Sequence, residues 1–148
     1  MTFSIVGRCE KTGQLGIAIS SSSIAVGARC PWLRAGVGAV ATQNVTLPAP
    51  GPQILDLLEH VKLDLATALD RALKASEWSE YRQVTVIDAQ GRTAFFSGKE
   101  SLGTYHAVTG KQCVAAGNML EHRRDRSHAA RVRCRIGRAR GSFARGHA

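Results

Sequence analysis

The chain opens on a stretch that leaves few folds open to it. Thr2-Phe-Ser-Ile-Val-Gly-Arg-Cys9 and Leu15-Gly-Ile-Ala-Ile-Ser-Ser-Ser-Ser23 are runs punctuated by Ile and Val, separated by Glu10-Lys-Thr-Gly-Gln14. This pattern predicts a β-hairpin, with Gly13 free to take positive φ in the turn. Setting Glu10 opposite Leu15 pairs Thr2 with Ser23 and Ser4 with Ser21, and cross-strand partners share a face. One face then carries Thr2, Ser4, Ser21 and Ser23 at the open end, with Val6, Ile17 and Ile19 beyond them. The other carries Phe3, Ile5, Cys9, Gly16 and Ala18, with Ser20 and Ser22. Both faces are largely apolar in the middle, so the hairpin belongs to a sheet covered on two sides. Its open end is rich in hydroxyls and holds the chain terminus.

The 148 residues are the size of one domain with a real core. No segment approaches the roughly 20 apolar residues that a membrane span needs. Met1-Thr2 leads straight into strand pattern, without the basic and apolar regions of a secretion signal. A cytoplasmic protein with no membrane partner is expected. Cys9, Cys30, Cys113 and Cys134 show no C-x-x-C spacing, which fits buried, reduced thiols. There is no phosphate-binding Gly loop, no Ser-His-Asp order and no G-x-S-x-G elbow, and no cofactor or metal is expected.

The net charge of +9 points towards nucleic acid until it is located. Glu121 to Ala148 holds nine Arg against Glu121 and Asp125, a net +7. The remaining 120 residues carry 11 basic and 9 acidic groups, a net +2. The body is nearly neutral, and its binding nucleic acid is not expected.

After the hairpin, Ile24-Ala-Val-Gly-Ala28 continues as an apolar segment, and Arg29-Cys-Pro-Trp-Leu-Arg34 reads as a turn around Pro31. Ala35 to Gln43 is a small-residue strand whose glycines mark close backbone approach or a covering helix. Pro52 suits the first turn of a helix carrying Ile54, Leu55, Leu57, Leu58 and Val61. Asp64 is placed to cap a second helix with Leu65, Ala68, Leu69, Ala72 and Leu73 on one stripe. Tyr81 to Asp88 and Thr93 to Ser97 make a second hairpin around Ala89-Gln-Gly-Arg92. Lys99 to Thr109 reads as a loose connection, and Gln112 to Asn118 as a last short strand. The order is two strands, one strand, two helices and three strands, which predicts a segregated α+β fold.

Several of these stretches resemble a bacterial family of unknown function in the N-terminal-nucleophile (Ntn) hydrolase superfamily. They are Thr2-Phe-Ser-Ile-Val, Ala25-Val-Gly-Ala with Pro31-Trp, Ala35 to Gln43, Tyr81-Arg-Gln-Val, Asp88-Ala-Gln-Gly-Arg92 and Gly117-Asn118-Met-Leu120. The resemblance covers residues 2 to about 120. It implies an Ntn-hydrolase-like αββα sandwich, two stacked sheets with helix pairs outside. The family is sometimes labelled a fimbrial protein, but the chain has no apolar N-terminal helix of the pilin kind.

The resemblance also implies a chemistry. In Ntn enzymes the first residue of the mature chain attacks an amide carbonyl, with its own α-amine as base. Here that residue is Thr2, exposed once the initiator Met1 is removed. The developing oxyanion needs donors in place. Asn118, after Gly117 at a strand end, is the first candidate, and Gln43 and Asn44 come next. Ser21 and Ser23 stand beside Thr2 and are placed to orient its amine. A basic neighbour is sought in Arg34 or Arg29, which the sequence does not separate. His106 and His60 read as surface or loop residues. The expected substrate is a small amide or peptide, with homo-oligomerisation open. Two other readings stay open: a binding protein that keeps the fold without catalysis, and a nucleic-acid binder acting through the tail.

That tail begins where the pattern breaks. Residues 1–120 read as the N-terminal part of the domain, and 121–148 as a basic tail. Glu121 to Ala148 can be a basic arm for phosphates, an irregular metal site of His122, His128 and Cys134, or the product of a frameshift. CGN arginine codons read one base later become Ala, Gly, Val, Asp or Glu. A one-base shift from Glu121 permits a string beginning Ser-Thr-Ala-Val-Ile-Glu-Ala-Met-Leu, an amphipathic helix. As written, the tail has too little apolar content to fold and is expected to leave the domain truncated, and poorly soluble or inactive. Sequencing the coding DNA decides whether the frame is shifted.

Overall fold

In a computed structural model, which describes residues 1–121, the opening hairpin forms with its register moved by two residues. Strand β1 (Thr2–Arg8) pairs antiparallel with β2 (Leu15–Ser21), placing Thr2 opposite Ser21 and Arg8 opposite Leu15. The expected pairing of Thr2 with Ser23 is corrected. The reason is the turn, which spans Cys9 to Gln14: Cys9 N donates to Gln14 O at 2.8 Å and Gly13 N to Cys9 O at 2.8 Å. Gly13 takes φ 72° there. An even shift leaves every side chain on its expected face.

The chain then runs through β3 (Pro31–Arg34) and β4 (Gly38–Asn44) to helices α1 (Pro50–Glu59) and α2 (Leu65–Lys74). Strands β5 (Arg82–Asp88), β6 (Thr93–Ser97), β7 (Thr104–Gly110) and β8 (Cys113–Leu120) follow. Two four-stranded antiparallel sheets result, β2-β1-β8-β7 and β3-β4-β5-β6. The α+β class stands. Two strands were not expected. The segment around Pro31 is not a turn but an edge strand, where proline's missing N–H faces no partner. Thr104 to Gly110 is not a loose connection but β7, turning into β8 through Lys111 and Gln112, with Gln112 at φ 59°.

Alternation along β4 and β5 organises the layers. Val40, Val84 and Val86 face α1 and α2 and close a core with Ile54, Leu55, Leu65, Ala68, Leu69, Ala72 and Leu73. Ala39, Ala41 and Ile87 face the other way, against Val6 and Val114 of the first sheet. Each fully buried aliphatic side chain contributes on the order of 1.5–3 kcal/mol. The layering is helices, sheet, sheet. Both α-helices lie on the second sheet, and among the described residues no α-helix covers the outer face of the first.

Local chemistry fits these elements. Pro50 and Pro52 stand in the first turn of α1, and Asp64 caps α2, its carboxylate accepting from Thr67 N at 3.1 Å. That bond holds the Asp64 carboxyl below its ordinary range. The glycine in β4 marks a close approach, since a Cβ on Gly38 would stand 2.6 Å from Ile87 O. Among the described residues no helix is long and apolar enough to cross a membrane. The tail from residue 122 onward, with all its readings, lies outside the described residues.

Candidate functional site

Strand polarity brings one polar end of the stack together. Thr2 starts β1, Ser21 ends β2, Gln43 lies near the end of β4, Gln83 near the start of β5, Ser97 ends β6 and Asn118 lies late in β8. Away from this end the space between the sheets is filled by Val6, Ala39, Ala41, Ile87 and Val114. At this end the same facing positions hold Thr2, Ser4, Gln43, Gln83, Thr85 and Asn118, all buried. The inter-sheet core is therefore half apolar and half polar.

Thr2 sits on the central strand β1, flanked by Ser21 on one side and Asn118 on the other. Its hydroxyl shares a hydrogen bond with Ser21 Oγ at 2.7 Å. Ser21 Oγ also accepts from Ser23 N at 3.0 Å, so Ser23 reaches Thr2 through Ser21 and not directly. Arg29 donates to Ser23 Oγ. This separates the two basic candidates: Arg29 belongs to the Thr2 end. Arg34 pairs with Asp56 at 2.9 Å and Glu59 at 2.6 Å on α1, hydrogen bonds that raise its pKa. Met1 is half exposed, its ammonium donating to Ser22 Oγ at 3.2 Å. Among the described residues no titratable side chain is hydrogen-bonded to the Thr2 hydroxyl.

Asn118 and Gln43 do converge, through a residue the sequence reading missed. Gln83, fully buried on β5, accepts at Oε1 from Gln43 Nε2 at 2.7 Å and from Asn118 Nδ2 at 3.2 Å. Gln43 Nε2 also donates to Ala116 O at 3.1 Å. Gln83 Nε2 donates to Ser97 Oγ at 3.0 Å, Gly117 O at 3.2 Å and His106 O at 3.4 Å, spanning both sheets. Around this hub, Ser4 Oγ, Gln43 Oε1, Thr85 Oγ1 and Asn118 Oδ1 are buried without a hydrogen-bond partner among the described residues. Each such atom costs about 1–3 kcal/mol. The missed signal was alternation: Gln83 and Thr85 interleave with Val84 and Val86, which puts polar groups on one face of a wholly buried strand.

The other candidates lie elsewhere. Asn44, at φ 76°, clamps two loops, donating to Tyr81 O at 2.5 Å and accepting from Leu102 N at 3.2 Å. His60 is exposed beyond α1, 3.5 Å from Glu59, and His106 enters the polar end only through its backbone carbonyl. Arg82 is buried against Val45 O and Glu77 O, and burial lowers its pKa without removing its charge at neutral pH. Cys9, Cys30 and Cys113 are buried, and the thiols of Cys9 and Cys30 are free. Among the described residues no three His, Cys, Asp or Glu cluster as metal ligands. The Thr2 end can offer a hydroxyl, its hydroxyl partner and amide donors.

Comparison with known proteins adds a family and a neighbour. The model of a family of unknown function, DUF1028, matches residues 2–132. A crystal structure of protein SPO2555 from Silicibacter pomeroyi, assigned to the same family model, superposes with a TM-score of 0.78 at 28% identity. The match covers 82% of this chain and 54% of that one, so the chain spans about half the length of this neighbour. No relative was found among curated proteins.

Proposed function

We propose, from the premise that this chain belongs to the DUF1028 family of unknown function, that it derives from an Ntn-type amide hydrolase whose nucleophile is Thr2. The observation that carries this reading is the Thr2 hydroxyl. It is held at 2.7 Å by Ser21, on the central strand of a two-sheet stack, with Asn118 directly opposite. A helix pair laid on two stacked antiparallel sheets supports an Ntn-like sandwich, although a fold alone does not assign chemistry.

The steps follow from the groups present. Removal of the half-exposed Met1 turns the Thr2 nitrogen from an amide into an α-amine. Such an amine, with an ordinary pKa of about 7.7–8.0, serves as base without help from a side chain. It takes the Thr2 hydroxyl proton as Oγ1 attacks the substrate amide carbon. The oxyanion that forms is stabilised by N–H donors, for which Asn118 retains one amide hydrogen beyond that given to Gln83. Collapse expels the amine, which leaves with the proton, and a water then cleaves the Thr2 ester to release the acid. Thr2, Asn118, Gln43, Ser21 and Ser23 are the proposed site, and a small amide or peptide the substrate.

Two measurements test this on the full chain. Intact mass should show the loss of one Met. An electrophilic amide-hydrolase probe should then label Thr2, faster as pH rises through about 8 as the amine loses its proton. Thr2→Val should abolish labelling while preserving the fold. A processed chain whose Thr2 stays unlabelled overturns the reading.

A further inference from the structure

We propose that Gln83 is the positioning residue of the Thr2 site, fixing the side-chain amides of Gln43 and Asn118 in one orientation. The proposal rests on the reading of Thr2 as nucleophile, but its structural half can be tested without any reaction.

The orientation of Gln83 is determined by its surroundings. Its Nε2 faces two backbone carbonyls, Gly117 O and His106 O, and the hydroxyl of Ser97. Reversing the amide would set its oxygen against those carbonyls and its NH2 against the NH2 groups of Gln43 and Asn118. The hub therefore has one arrangement. Because Oε1 captures both neighbouring NH2 groups, Gln43 and Asn118 are turned with their nitrogens inward. Their own oxygens then find no donor among the described residues, and the hydroxyls of Ser4 and Thr85 find no partner there either.

This arrangement is poor for stability. The other half of the same interface shows that small aliphatic side chains fill the space between the sheets. A stack built for stability alone would continue that filling to its end, as unpartnered buried polar groups are expensive. What the amide triad achieves is restraint. Asn118 faces Thr2 across the β1–β8 ladder, and Gln83 holds the Asn118 nitrogen so that its second N–H has a defined direction. An oxyanion donor must be in place before charge develops, which a freely rotating amide is not. Gln83 touches no substrate in this scheme and acts through Asn118.

The test reads the amides directly. In the unaltered chain, the side-chain NH2 protons of Gln43 and Asn118 should exchange with solvent at least about tenfold more slowly than those of the exposed Gln53 and Gln90. In Gln83→Met, which keeps the volume and removes the acceptor, both should lose that protection. Thr2 labelling should fall about tenfold or more in its maximal rate, with probe affinity within about twofold. A residue that merely stabilised the fold would lower the melting temperature and leave that rate unchanged. Fast exchange in the unaltered chain, or unchanged protection in Gln83→Met, overturns the proposal. Fast exchange in the unaltered chain overturns the proposal even if the variant does not fold. Absence of labelling in a chain whose two amides are protected counts against Thr2 as nucleophile, not against the hold of Gln83.

Discussion

At the scale of single residues, the polar end of the stack is a set of groups whose cost and use can be separated. Thr85 Oγ1 and Ser4 Oγ are buried without a partner among the described residues, but they differ in position. Ser4 lies two residues along the same face from Thr2, whereas Thr85 belongs to the second sheet. Thr85→Val keeps the shape and removes a desolvated hydroxyl, so it should raise unfolding stability by about 1 kcal/mol. Denaturant titration checks this. A loss of stability would mean that the hydroxyl is satisfied by an ordered water of the kind buried polar sites hold. The candidate site was half legible in the sequence. Thr2 and Ser21 could be placed because they stand at the ends of strands visible from their Ile and Val content, and Asn118 because it follows Gly117 in a stretch that carries the family resemblance. Gln83 could not, because a glutamine that follows Arg82 and alternates with Val84 looks like the solvent side of a strand until both faces are known to be buried.

At the scale of elements, the helices were the legible part. Asp64 followed by Leu65, Ala68, Leu69, Ala72 and Leu73 states both where α2 starts and which face it buries. The edge strands β3 and β7 were not, although each pairs with the strand that follows it in the chain. β3 starts on a proline, and β7 carries a register shift between Thr104 and His106. The junction of α1 with β3 offers a sharp test. A Cβ on Gly51 would stand 2.1 Å from the Trp32 ring, closer than real contacts allow. Trp32 packs on the helix-facing core, so the ring has little room to yield. Gly51→Ala should cost about 1–3 kcal/mol, measured by thermal or denaturant unfolding. An unchanged stability would show that Trp32 swings aside freely.

At the scale of the molecule, the two sheets are treated unequally. The second is covered by α1 and α2, while the first turns Phe3, Ile5, Ala18, Val108 and Ala115 away from the stack. Phe3 is 49% exposed, on an antiparallel face of small apolar residues that ordinarily calls for a covering layer. Concentration-dependent self-association is expected in sedimentation or size-exclusion experiments, and Phe3→Lys should weaken it. A full-length chain that stays monomeric at high concentration would refute this. The pairing of the first strand with the last has a further consequence, in time. β1 is central, yet one of its two neighbours, β8, is completed only at Leu120. During synthesis at about 5–20 residues per second, the second edge of β1 stays unpaired for on the order of ten seconds. Met1 would thus be within reach of a processing enzyme throughout that interval, before the long-range β1–β8 contact buries Thr2. Sequence separation, which slows the folding of such sheets, would here set the window for the proposed removal of Met1.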